Sequence, residues 1–166
     1  MRSPWRCAAF TPWPMGIEPT SNPCTARAPS TATTRSQPPS SRVPGPAGCY
    51  SAALWLRAAF ADLHYDVHHA IADDNLVAVN STMHGRHVAP WAVYTDDGAV
   101  DTVFPPTNKT FATTQSHWLR IEDGMIIEHW GNRDDLGMAK ELGWVPPTPA
   151  YLFKMARAKR ALRRGR

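Results

Sequence analysis

Apolar and polar positions along the chain fall into distinct regimes. Over residues 1–48 no apolar period of 2 or 3.6 can be traced, and proline recurs too often for a helix or a central strand. Tyr50 to Phe60 is rich in helix formers and free of Pro and Gly, which predicts a short helix. Leu63, Tyr65, Val67, His69 and Ile71 then alternate with His64, Asp66 and His68, the period of a half-buried strand. Asp73-Asp74-Asn75 supplies turn chemistry, and Leu76 to His87 continues as a second strand rich in Val, Thr and Ser. The two make an antiparallel hairpin.

Pro90 to Lys109 reads as a loop, with Asp96-Asp97-Gly98 and Pro105-Pro106 as breakers. Phe111 to Ile121 predicts a third strand, Asp123-Gly124 a tight turn, and Met125 to Arg133 a fourth strand. One or two helical turns follow, ending at Gly143. Tyr151 to Arg166 predicts a basic helix with a thin apolar stripe of Leu152, Met155, Ala156 and Leu162, docked on the domain before it. The fold class is therefore α+β, a curved antiparallel sheet with helices packed on it.

Charge sharpens the boundaries. Of the 166 residues, the first 48 hold ten of the sixteen prolines, five Arg and one acid, Glu18. Cys49 to Phe153 carries six basic and thirteen acidic residues, whereas Lys154 to Arg166 has seven basic residues and no acid. The organisation expected is a Pro/Ser/Thr/Arg-rich disordered extension over 1–48, a domain over 49–150 and a basic helix or tail over 151–166. The extension has three standing explanations: a native disordered arm, a product of start-site choice or frame, and a transit peptide, whose amphipathic helix Pro4, Pro12, Pro14 and Pro19 would break.

Because the positive charge is terminal and no basic patch interleaved with aromatics occurs in the middle, a nucleic-acid-binding domain is not expected. No run of about 18 apolar residues exists to cross a membrane, and the start lacks a secretory apolar stretch. Cys7, Cys24 and Cys49 all lie at or before the start of the acidic domain, so no thiol chemistry is expected inside it. These features point to the cytoplasm.

Several segments carry a family likeness: Phe60-Ala-Asp-Leu-His-Tyr-Asp-Val67, Ile71-Ala-Asp-Asp-Asn-Leu-Val77, Gly85-Arg-His87, Pro105-Pro-Thr-Asn-Lys109, Leu119-Arg-Ile-Glu-Asp-Gly-Met-Ile-Ile-Glu-His-Trp130, and Asp134-Asp-Leu-Gly137 with Leu142-Gly143. In that order the chain resembles the SnoaL-like polyketide cyclases and ester cyclases of the nuclear transport factor 2-like superfamily, from about Leu54 to Pro147. The resemblance implies a cone of curved sheet around an apolar pocket, assembled as a homodimer or higher homo-oligomer. It implies intramolecular aldol ring closure on an aromatic polyketide ester, with no metal and no organic cofactor, and a pocket carboxylate as acid/base assisted by His and Gln. The family's opening helices have no counterpart in the composition of residues 1–48.

Carried over residue by residue, the resemblance places Asp134 in the family's Asp-x-Leu-Gly position as acid/base, and Gln115 and His117 in its Gln-x-His. It places His87 in its Gly-x-His at the pocket rim. The family carboxylate has a second candidate position directly after Glu-His-Trp, and there this chain has Gly131. A helix N-cap is the other reading of Asp134.

Gln115 and His117 are two apart and share a strand face. A two-residue turn at Asp123-Gly124 sets His117 opposite Trp130 and Gln115 opposite Asn132; a three-residue turn with a bulge sets His117 opposite His129. The first builds a polar pocket wall and the second a proton-relaying histidine pair. Trp91, Trp118 and Trp130 suit a pocket for a flat aromatic ligand, the other reading being core residues. Neither His84 with His87 nor His68 with His69 has the spacing of ligands on one strand face, so no metal site is expected. The reading is thus a cofactor-free cyclase with a small aromatic substrate, the alternative being a non-catalytic binding protein of the same fold. A hydrolase built on an Asp-Arg-Asp cluster would have only Arg120 or Arg133 to draw on.

Overall fold

The computed structural model describes residues 36–164. Helix α1 (Pro46–Ala59) leads straight into β1 (Phe60–Asp73) and β2 (Leu76–His87). The hairpin β3 (Trp91–Tyr94) and β4 (Val100–Phe104) comes next, then β5 (Thr110–Glu122) and β6 (Met125–Arg133). Two helices close the chain, α2 (Asp135–Glu141) and α3 (Pro149–Arg164). β1, β2, β5 and β6 form one antiparallel sheet in that order, and β3 with β4 forms a second. The α+β class expected from the pattern is the observed one.

The extension expected over 1–48 lies outside the described residues as far as residue 35. Residues 36–48 are described, and they are tied down. The Arg42 guanidinium donates to the carbonyls of Gln37, Thr95 and Asp96 at 2.7–2.9 Å, and Tyr94 donates its N–H to the Ser36 carbonyl. Helix α1 begins at Pro46, where a missing N–H costs nothing because the first turn has no carbonyl to receive it.

Leu76 to His87 behaves as its pattern predicts: Val79, Ser81, Met83, Gly85 and His87 are buried on one face. Strand β1 departs from the expected alternation. Register shifts fall between Ala61 and His64 and between Val67 and His69. Each extra residue exchanges the two faces downstream of it. Val67 therefore lies opposite Ser81 on the inner face, but Ala70, opposite Val79, takes over that face, and His69 and Ile71 point outward. Ile71 is 68% exposed, in a stretch where the inner-face Val67 and Ala70 are exposed as well. The segment expected as loop contains the β3–β4 hairpin, its turn at Asp96-Asp97-Gly98 flanked by two short apolar runs.

The main core gathers at the end of the sheet where β2 stops. Ala59, Phe60, Leu63, Met83, Trp91, Phe111, Met138, Leu142 and Trp144 pack there between α1, the sheet and α2. Burial of several large side chains at about 1.5–3 kcal/mol each makes this cluster the principal hold on the sheet's curvature and on α2. A smaller cluster of Ala92, Val100 and Val103 sits beneath α3. The stripe expected for α3 is displaced: Leu152 and Leu162 are exposed, whereas Tyr151, Met155 and Ala158 are half-buried. Helix α3 docks through Ala158 against the small cluster and through two bonds to backbone, Tyr151 Oη to the Pro105 carbonyl and Arg163 to the Val100 carbonyl, both 3.1 Å. Among the described residues no helix is long and apolar enough to cross a membrane.

Candidate functional site

The register of β2, β5 and β6 decides what meets on the inner face. The turn at Asp123-Gly124 has two residues, both at positive φ (49° and 75°), the conformation that a tight hairpin demands and that glycine adopts without a Cβ penalty. A register shift at Ile127 then moves β6 by one place. His117 consequently lies opposite Gly131, and Gln115 opposite Arg133, so neither alternative drawn from turn length is realised. The shift leaves no local mark in the sequence, because Met125 to His129 reads as an uninterrupted strand.

With that register the inner face carries Tyr65, Ser81, Thr113, Gln115, His117, His129 and Arg133 around Val79, Met83 and Leu119. His129 faces Leu119 and is the diagonal neighbour of His117. Their rings meet, His117 Nδ1 lying 2.8 Å from His129 Nε2, so one nitrogen donates and the other accepts. Burial disfavours the charged forms of both. It holds His129 below the ordinary histidine range and, with the His129 and Arg133 charges nearby, brings His117 down to about 4. Both imidazoles are neutral at neutral pH. The Tyr65 hydroxyl is held above its usual range by burial, partly offset by Arg133 and Arg57.

Gly131 makes the histidine pair possible. A Cβ at this position would stand 3.0 Å from His117 Nδ1 and 3.1 Å from the Ser116 carbonyl oxygen. The His117 ring occupies the space a side chain at 131 would fill. Nearby, Ser81 Oγ, Thr113 Oγ1 and Gln115 Nε2 are buried and have no hydrogen-bond partner among the described residues. Each such group costs about 1–3 kcal/mol when left unpaired, and the three share one wall of the sheet.

The other candidates lie elsewhere. Asp134 is exposed and caps α2, its carboxylate accepting the Gly137 N–H at 2.8 Å, with its own N–H bonded to the Thr114 carbonyl. It belongs to the face opposite His117, because its backbone partner Thr114 is an outward position of β5. The structure does not bring Asp134 and His117 together.

His87 is fully buried in the aromatic core, 5.3 Å from the rings of both Phe60 and Trp144, and is no rim residue. Burial lowers its pKa to about 4. Its strand end is locked by the Pro105–Lys109 segment, through His87 N–H to the Lys109 carbonyl and Asn108 N–H to the His87 carbonyl.

Trp118, Trp130 and Asn132 project from the outer face. Trp118 and Trp130 are directly opposite one another and stack at 6.4 Å, on the far side of the sheet from Gln115 and His117. Arg120 also faces outward and pairs with Glu128 at 2.9 Å. Arg133 pairs with Asp135 at 2.6 Å. None of the inner-face strand positions holds a carboxylate, so the Asp-Arg-Asp arrangement of a hydrolase is not assembled there. Three inner-face residues, Tyr65, Ser81 and Thr113, were not singled out as site residues from the sequence, and Arg133 only as the arginine a hydrolase would need. Tyr65 was visible as an inward position of its strand, but its proximity to β6 residues depends on the sheet's curvature.

The chain is an α+β protein, a helix-backed antiparallel sheet with a row of polar residues on its inner face. The chain belongs to the SnoaL-like polyketide cyclase family, whose sequence profile matches residues 15–142. That match begins well before Leu54, where the resemblance in the motifs starts, and takes in part of the proline-rich segment. Two aklanonic acid methyl ester cyclases are each 30% identical over 106 residues, or 63% of this chain: DnrD of Streptomyces peucetius and DauD of a Streptomyces species (strain C5). The matched stretch spans 66% and 60% of their lengths. Among solved structures, TsrD from Streptomyces laurentii superposes with a TM-score of 0.51 at 23% identity, covering 61% of this chain and 68% of that one. IdmH from Streptomyces antibioticus gives 0.51 at 23% identity, covering 74% and 81%. These likenesses show the fold.

Proposed function

We propose that the protein is a cofactor-free ring-closing enzyme of the polyketide ester cyclase type, in which the His117–His129 pair takes the acid/base role. The observation that carries this reading is the 2.8 Å contact between two half-buried imidazoles, both with lowered pKa, beside Gln115 on the inner face. An intramolecular aldol closure needs a base for a carbon acid flanked by carbonyls and a donor for the resulting enolate. The histidine pair accepts the proton and the Gln115 amide, buried with its Nε2 unpartnered among the described residues, donates to the enolate oxygen. The enolate carbon attacks the second carbonyl, and the alkoxide formed takes the proton back from the pair. His87 supports this wall from the core and does not touch substrate. The substrate class is a small aromatic polyketide ester, and the two relatives are named as cyclases of a methyl ester.

A second reading is a non-catalytic binding protein of the same fold. The absence of a carboxylate from the inner-face strand positions favours it. Incubating the full-length protein with aklanonic acid methyl ester and related esters, and following product by mass-neutral chromatographic shift, separates the two. Saturable binding without conversion selects the second. Assembly as a homodimer through the outer sheet face, with Trp118 and Trp130 at the contact, is part of the same proposal, and both tryptophans stand on that face.

A further inference from the structure

One side-chain cluster lies outside this chemistry. The bulge between Ala61 and His64 sets His64 directly opposite His84 on the outer face, and Asp66, opposite Thr82, is the diagonal neighbour of His84. His84 Nε2 lies 3.1 Å from Asp66 Oδ2. The His64 and His84 rings stack at 4.8 Å, 7° from parallel. One ligand atom from each of the three residues falls within 4.8 Å of the other two.

The surroundings suit a cation. His64 Nδ1 is 2.8 Å from the Asp62 carbonyl oxygen, which can only accept, so Nδ1 carries the proton and Nε2 keeps its lone pair. A backbone carbonyl on the second ring nitrogen is the usual support of a metal-bound histidine. Arg86 is drawn to the Asp62 carboxylate at 3.3 Å, which leaves the Asp66 carboxylate to the two histidines. The spacing of histidines along either strand gave no hint of this, because the three residues meet only through pairing across β1 and β2.

We propose that His64, Asp66 and His84 form a binding site for a borderline divalent transition ion, with Zn2+ as the reference ion. Two imidazoles and a carboxylate are a donor set that such ions accept, with the remaining positions taken by water. The ion bridges β1 to β2 at the bulge and fixes the register there. It sits on the opposite face from His117, so it stabilises the sheet and takes no part in the reaction.

The test is calorimetric titration of the full-length protein with ZnCl2, together with the visible spectrum of the Co2+ form. The expected result is one ion per chain, a nitrogen/oxygen-type Co2+ spectrum without a thiolate charge-transfer band, and a zinc-dependent rise in Tm. His64→Ala, His84→Ala and Asp66→Asn should each weaken binding about 10-fold or more and abolish that rise. His69→Ala, on an exposed residue outside the cluster, should bind as the parent does. The three site residues are surface-facing, so Tm in chelator should match the parent and report intact folding. The proposal is overturned if the parent binds no zinc, if a thiolate band appears, or if the His64→Ala/His84→Ala double variant binds zinc as tightly as the parent.

Discussion

The imidazole of His117 lies across Gly131, close enough that a Cβ at 131 would come within 3.0 Å of Nδ1. A side chain there would press on the His117 ring, which would have to give by a few tenths of an ångström at the nitrogen that contacts His129. The position that one reading of the family pattern would give to a carboxylate is in this chain the floor on which a histidine pair is built.

Gly131→Ala should therefore break the pair. The added methyl forces the His117 ring aside, at about 1–3 kcal/mol of stability, and Gly131→Asp does so while adding a charge. Imidazole nitrogen NMR would show loss of the His117–His129 hydrogen bond in both variants. An unchanged His117 resonance would contradict this geometry.

His117→Phe and Asp134→Ala should separate chemistry from capping. Removing His117 is expected to lower kcat by about 10²-fold or more, the usual worth of a general base. Asp134→Ala loses only the cap to Gly137, costing about 1 kcal/mol in denaturant unfolding, and Asp134→Asn, which caps equally well, should change little. Turnover abolished in Asp134→Asn with the fold intact would return the acid/base role to the carboxylate.

Acid should destabilise the fold in a defined window. His87, His117 and His129 bind their protons less readily folded than unfolded, so protons favour the unfolded chain. Their contribution is complete above the ordinary value of 6.5 and is lost as pH falls toward about 4, where folded His87 and His117 titrate. For the fully buried His87 alone the difference is about 3 kcal/mol. Urea unfolding at neutral pH and at the acid end of the window measures it, and a flat profile would refute the assignment.

Trp118→Ala and Trp130→Ala place the ligand on one face or the other. Both residues stand on the outer face, so ligand affinity should change less than twofold while self-association weakens, as fluorescence titration and sedimentation would report. A tenfold loss of affinity would put the ligand on the tryptophan face.

Much of the fold was legible locally. β2 alternates without interruption and its odd-numbered residues from Val79 to His87 are buried, as period-2 patterning requires. The turn at Asp123-Gly124 and the stop of α2 before Gly143 announce themselves through residues that tolerate positive φ. Strand β1 misled because its bulges exchange the faces partway along, so that Ile71 keeps the apolar alternation and yet points to solvent. His87 has the polar look of a rim residue, and only the rings of Phe60 and Trp144 around it reveal a core position.

By itself the sequence determined the antiparallel α+β class, the family, and the single face shared by Gln115 and His117, since these rest on local periodicity and on motif order. Only the tertiary structure decided which residues meet. The register shift at Ile127 brings Gly131 and His129 to the face of His117 and sends Trp130 to the other side, opposite Trp118, while Asp134 caps a helix. A shift of one residue exchanges every side chain beyond it between faces, and its place is set by packing across the sheet, which no single strand records.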